Sequence, residues 1–233
     1  MKSRHAGFLN KYFYFSMSLL VAVVVVYGFS HTINHNLIHP NPTPPWILYL
    51  HAPVFSAWIL FFILQSALVR THNVRIHRTL GWFGAALAAF MLFLGIMTAT
   101  GMDKFHVQTS HDPLDIFFLS VQLADLACFA VPFALAIYWR KRPEFHRRLM
   151  LLATCALTDA AFGRFPLLPL IFAPVGVDVL ILFGIARDLI VDRRIHKVYL
   201  YALPTFILVQ IIAAQLFTCH PSWWMKIAGA IVH

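Results

Sequence analysis

The residues of this 233-residue chain that could do chemistry are its thirteen histidines and a few isolated aspartates. The stretches "RIHRTL", "EFHRRL" and "RIHKVY" place His77, His146 and His196 each after Ile or Phe and before Arg or Lys, at the start of an apolar run. Imidazole suits zinc, copper and iron. Three of them at one depth could converge on a metal or on a cofactor carboxylate, which makes this trio the candidate cofactor-binding set. The neighbouring arginines would repel a cation and favour an anionic ligand instead. A plainer alternative is that each basic cluster snorkels to lipid phosphates and anchors a helix. The three readings stay open at this level.

A second group lies in "SHTINHNLIHP", where His31, His35 and His39 stand at i, i+4 and i+8. They form one stripe if the first helix continues to Pro40, and an i, i+4 histidine pair is a workable metal spacing. His51 follows inside an apolar run and needs a partner. His31, His35 and His51 are therefore the candidate metal ligands, although histidines beyond a membrane edge are often only polar. His106 and His111 are expected in the next outer loop with Asp103.

Asp125, Asp159 and Asp178 interrupt apolar runs, and each buried charge costs about 2.5–3.5 kcal/mol on insertion scales. At helical rise, Asp125 and Asp178 lie roughly 16–18 Å below the outer surface, with Asp159 nearer to it. They must face the bundle interior, paired or protonated. Gln122 is one turn from Asp125, and Arg164 is the cation available to Asp178 or Asp159. As catalytic groups the three acids would relay protons or bind a cation in a polar cavity. Otherwise they lock helices together as a polar network. Pro132, Pro166, Pro169 and Pro174 are expected to break regular helix beside them.

The elements that must carry these side chains follow from composition. Sixty per cent of the residues are hydrophobic and 12% are charged, against about 25% charged in a soluble domain. Such a chain needs lipid as its solvent. The net charge of +9 does not indicate nucleic acid, because the cations fall in short clusters between apolar runs rather than on one soluble face. Three cysteines in or beside apolar runs make no disulfide framework.

Seven spans of about 20 apolar residues are expected at 12–32, 46–68, 79–100, 114–139, 147–165, 168–190 and 198–218. The fold is thus an all-α, seven-transmembrane bundle in one domain over 1–233. Thr43 and Pro44 are expected to open the second span, and Asp112, Pro113 and Asp115 the fourth. All but three of the 18 Lys and Arg (Lys104, Arg164 and Lys226) fall on one side of this arrangement. The positive-inside rule then puts the N-terminus in the cytoplasm and the C-terminus in the periplasm. Trp82 and Trp139 would mark the inner interface and Trp46, Trp223 and Trp224 the outer one. The tail "PSWWMKIAGAIVH" reads as a short interfacial segment.

Several chemistries find no residues. Span seven has no lysine for a retinal Schiff base and no HxxxH pair of a membrane zinc hydrolase. Walker and dinucleotide glycine motifs are absent from the sequence. Only His51, and at the margin His31, sits deep enough to ligate a haem crossing the bilayer.

The blocks "YLHAPVFSAWILFFILQ", "IHRTLGWFGAALA" and "EFHRRLMLLATCAL" resemble a widespread group of bacterial multi-pass inner-membrane proteins. That group has a histidine early in span two, an HR-x-LG motif opening span three and an HRRLMLLAT-like motif opening span five. The resemblance covers roughly 45–200 and falls on His51, His77, Arg78, Gly81, His146 and Arg147. It implies a bacterial origin and a compact multi-pass fold, and carries no activity with it. The His31/His35/His39 stripe and Asp159 depart from its pattern.

The expectation is therefore a bacterial inner-membrane protein binding a transition metal (Cu, Fe or Zn) or haem through its histidines, in electron transfer as an oxidoreductase or a subunit of a respiratory-type complex. A proton- or cation-coupled transporter using the buried aspartates is the alternative, with a non-catalytic integral subunit or receptor behind it. Lipid is the implied partner throughout, with other membrane subunits under the first and third readings.

Overall fold

The computed structural model describes residues 4–110 and 118–232. It is all-α, with no strand among the described residues. The long helices are α1 (Arg4–Ser30), α2 (Trp46–Arg70), α3 (Val74–Ser110), α4 (Leu119–Tyr138), α7 (Ala173–Val191) and α8 (Lys197–Cys219). Shorter are α5 (Pro143–Ala156), α6 (Asp159–Phe162) and the C-terminal α9 (Ser222–Val232). Six described helices are long and apolar enough to cross a membrane. Their outward faces are greasy: Val23, Val26, Leu60, Phe93 and Leu208 are all exposed. Such surfaces are stable only against hydrocarbon.

The turns at 71–73, 139–142 and 192–196 share one end of the bundle, here the basic end; the opposite end is the far end. His77 of α3 meets His146 of α5 at the basic end, as does Asn10 of α1 with Arg187 of α7. At the far end Gly28 of α1 packs on the backbone of Ala161 in α6, so closely that a Cβ at position 28 would strike its carbonyl oxygen.

The segment expected as the fifth span is divided. α5 ends at Ala156, Leu157 and Thr158 form a turn, and α6 adds four residues. Every residue of α5 from Leu151 to Ala156 is buried, with α1, α4, α7 and α8 packed around it. This helix faces protein rather than lipid, which lets it carry Thr154 and two arginines and keeps its hydropathy below that of its neighbours.

Other boundaries depart from expectation for local reasons. Thr43 does not cap α2: the N-cap is Pro45, with no side-chain cap. Pro44 and Pro45 disfavour helical backbone in the residues before them, so the helix starts after the last proline. The cap expected at Asp112, Pro113 and Asp115, and with it His111, lies outside the described residues. α3 runs on through Asp103 and His106, placing both on helix rather than in a loop. At 37 residues it is about 55 Å long, well beyond the roughly 30 Å hydrocarbon layer. Its extension is covered by α9, whose Trp224, Ala228 and Val232 pack with Ala99 and Leu119. Trp224 is thus buried, while Trp223 and Ile227 on the opposite face stay exposed. Pro132 is buried inside an unbroken α4, and Pro174 occupies the first turn of α7. These two terminate nothing.

Candidate functional site: a carboxyl-lined cavity

The far half of the bundle holds a cavity of about 50 Å³ between α4, α6, α7 and α8, room for a few waters. Phe118, Leu170 and Phe217 line it toward the far end, Cys128 and Phe206 toward the middle, and Asp125 and Asp159 supply its carboxyls. Asp125 stands six residues into α4 and Asp159 opens α6. Both carboxyl residues line this one small cavity. Two carboxylates sharing so small a space repel each other, which favours a proton on one of them. One oxygen of Asp159, Oδ1, is buried without a protein partner. Asp178 of α7 accepts a hydrogen bond from Gln210 Nε2 of α8 at 3.3 Å. Gln210 also lines the cavity. Two acids 34 residues apart in sequence (125 and 159) thus share a cavity, and a third, Asp178, is tied to it through Gln210.

Their expected partners are elsewhere. Gln122 Nε2 donates to Asp103 of α3 at 3.3 Å, not to Asp125. Arg164 donates to the Ala160 carbonyl and covers the Phe29 ring at 4.4 Å. It pairs with neither Asp159 nor Asp178, because the Gly163 turn sends its side chain back along α6.

The histidine sets fare unevenly. His77 and His146 meet edge to face with ring centroids 6.2 Å apart. His146 Nδ1 bonds the Ala136 carbonyl at 2.9 Å, whereas His77 Nδ1 is buried without a protein partner. His196 stands apart, its ring against Phe145 at 4.7 Å. Its Nδ1 accepts the Val198 N–H at 3.2 Å and caps α8. Of the arginines that follow His146, Arg147 covers the Tyr14 ring at 5.4 Å and Arg148 is buried.

The outer stripe is broken. α1 ends at Ser30 and the chain turns into a π-helical turn over Asn34–Ile38. Its i→i+5 bonding takes His31, His35 and His39 off a common α-helical face. His31 Nδ1 bonds the Tyr27 carbonyl at 2.8 Å, His39 Nδ1 bonds Asn34 Oδ1 at 3.0 Å, and His35 is exposed. His51 stacks on Phe55 at 3.9 Å, with Nδ1 buried and unpartnered. Among the described residues no three His, Cys, Asp or Glu side chains form a group able to hold a metal.

The basic end contains a cluster that composition alone conceals. Arg148 of α5 makes a bidentate pair with Asp188 of α7 through Nε and Nη2, both at 2.7 Å, and reaches Asp192 at 2.9 Å. Arg187 contacts Asp188 at 2.8 Å, Asp192 at 2.6 Å and Asn10 at 2.5 Å. Arg148, Arg187 and Asp188 are almost fully buried. Counting arginines for topology masks this site. The available signal is "RDLIVD", two acids at i, i+4 closing an apolar run.

The fold and these buried polar groups define the class: an all-α, multi-pass membrane protein with an acid-lined cavity and an ion-paired basic end. No protein-family model, no curated protein and no solved structure matches the chain.

Proposed function

We propose that the chain is a bacterial inner-membrane protein that moves protons, or a cation in exchange for them, through the Asp125–Asp159–Asp178 cluster. One observation carries this reading: two carboxyl residues from different helices brought to the wall of one small cavity. Ionisable residues inside a membrane are costly, and by default they mark an ion or proton path. Asp159 Oδ1, left without a protein partner, is where a water or a cation would be received, and Asp178 with Gln210 provides the next acceptor. Helix locking alone does not account for it, since two facing acids repel unless protonated.

The proposed topology is seven crossings, with the basic end in the cytoplasm and the C-terminus in the periplasm. In its favour, α5 and α6 together run from Arg148 beside Asp188 at the basic end to Ala161 beside Gly28 at the far end. The cavity then faces the periplasmic half.

Infrared spectroscopy and flux test the assignment together. Purified protein is expected to show a protonated-carboxyl band that Asp125→Asn removes. In proteoliposomes carrying a sodium or potassium gradient, the same variant should lower proton movement at least tenfold. Unchanged flux in both Asp125→Asn and Asp159→Asn would overturn the proposal.

The metal or haem reading keeps one observation in its favour, the unpartnered Nδ1 of His51. In that reading His51, with His31 and His35, serves electron transfer. Stoichiometric Fe, Cu or Zn, or a Soret band, lost in His51→Ala, would establish it.

A further inference from the structure

A second, larger cavity of about 380 Å³ lies between α4 and α8, with α5 at its base. This is the size of a small-ligand pocket. Its wall is almost wholly apolar: Val131, Leu135, Ala202, Phe206 and Val209 line it, with Trp139 at one end. Among the described residues the one charged side chain lining it is Lys197, exposed at the first position of α8.

Its dimensions match one leaflet. The lining runs from Trp139 to Ala127 on α4 and from Lys197 to Val209 on the antiparallel α8. Twelve residues on each helix is about 18 Å, slightly more than half of the roughly 30 Å hydrocarbon core. One end is therefore at the headgroup level, where Trp139 and Lys197 sit, and the other is near the bilayer midplane. The headgroup end also belongs to the basic end of the bundle, with Lys141, Arg193 and Arg194 exposed in the adjacent turns. An apolar slot one leaflet deep with cations at its mouth is complementary to a single amphiphile, an acyl chain under a negatively charged headgroup.

We propose that the α4–α8 groove seats one anionic phospholipid, its phosphate at the Lys197 ammonium and one acyl chain laid along Val131, Leu135, Ala202 and Phe206. The site is separate from the carboxyl cluster and does not depend on what that cluster does. The two cavities nevertheless share Cys128 and Phe206, so the tip of the chain touches the wall of the acid-lined one.

Native mass spectrometry of the delipidated full chain, titrated with phosphatidylglycerol or with phosphatidylcholine of the same chains, tests this. One phosphatidylglycerol is expected to bind ahead of any phosphatidylcholine. An interfacial lysine contributes about 1 kcal/mol toward an anionic lipid, so Lys197→Ala should weaken that binding about fivefold and leave phosphatidylcholine unchanged. Ala202→Trp, which fills the slot, should abolish the tight site for both lipids while circular dichroism stays helical. Equal affinity of the wild-type chain for the two lipids would overturn the proposal. So would phosphatidylglycerol binding unaffected by both variants, or a neutral prenyl lipid displacing phosphatidylglycerol at equal concentration. The wild-type comparison alone decides if a variant fails to fold.

Discussion

At the scale of single residues, His196 illustrates how geometry assigns a histidine. Its Nδ1 lone pair is committed to the Val198 N–H, so this nitrogen must stay unprotonated for α8 to be capped. Burial, and then the Arg148 guanidinium, hold its pKa below the usual 6.5. The folded chain thus takes up the proton less readily than the unfolded one, and stability present above about pH 6.5 is lost as pH falls below it. His196→Ala should cost about 1 kcal/mol at pH 8, as loss of a cap does. His196→Asn keeps an acceptor there and should match wild type at pH 8, then exceed it at pH 5. Melting temperatures in detergent check both. The sequence shows His77, His146 and His196 as one repeated motif, and the structure separates them into a facing pair and a cap. Nothing in "IHR" or "IHK" distinguishes these roles, because both depend on which helix end lies opposite.

At the scale of elements, the junction of α5 with α7 is the most strongly specified contact. α5 is buried on nearly all sides, and its polar anchor is the Arg148–Asp188 pair, with Arg187 and Asp192 completing a four-membered network. Removing one partner of a buried pair leaves a charge without compensation and costs about 3–5 kcal/mol, whereas replacing both by apolar groups costs much less. Asp188→Ala should therefore lower the unfolding midpoint in detergent sharply. The double variant Arg148→Met with Asp188→Leu should recover most of that loss, since Arg187 still has Asp192 and Asn10. Additive losses would refute the pairing. The hydrophobic runs locate all six long helices and mark α2 and α8 to within two residues at each end, while α1 starts eight residues before its run and α3 extends past both ends of its own. The break after Ala156 is not legible, because "ATCALTDAAFG" has neither proline nor a strong helix breaker until Gly163. Beyond that break α6 packs against Gly28 of α1, a contact between residues far apart in the chain.

At the scale of the whole molecule, the count of crossings sets where the termini lie: an odd number puts them on opposite sides. Cys219 is exposed near the C-terminal end of α8, while Cys128 and Cys155 are buried. An impermeant maleimide applied to intact spheroplasts should label one thiol, at Cys219. A cysteine placed at Lys11 in a Cys219→Ser background should be labelled only after permeabilisation. Labelling of both positions from the same side would refute the seven-crossing topology. What the order of residues determined by itself was the solvent and the gathering of cations between the apolar runs. Hydrocarbon-length apolar runs have no stable state in water, and the positions of the cations depend only on where those runs begin and end. Tertiary structure alone decided which acids line one cavity, which arginines are paired and which histidines meet. Those contacts join residues tens of positions apart on different helices, and helix rotation and packing, to which composition and period are blind, set each distance.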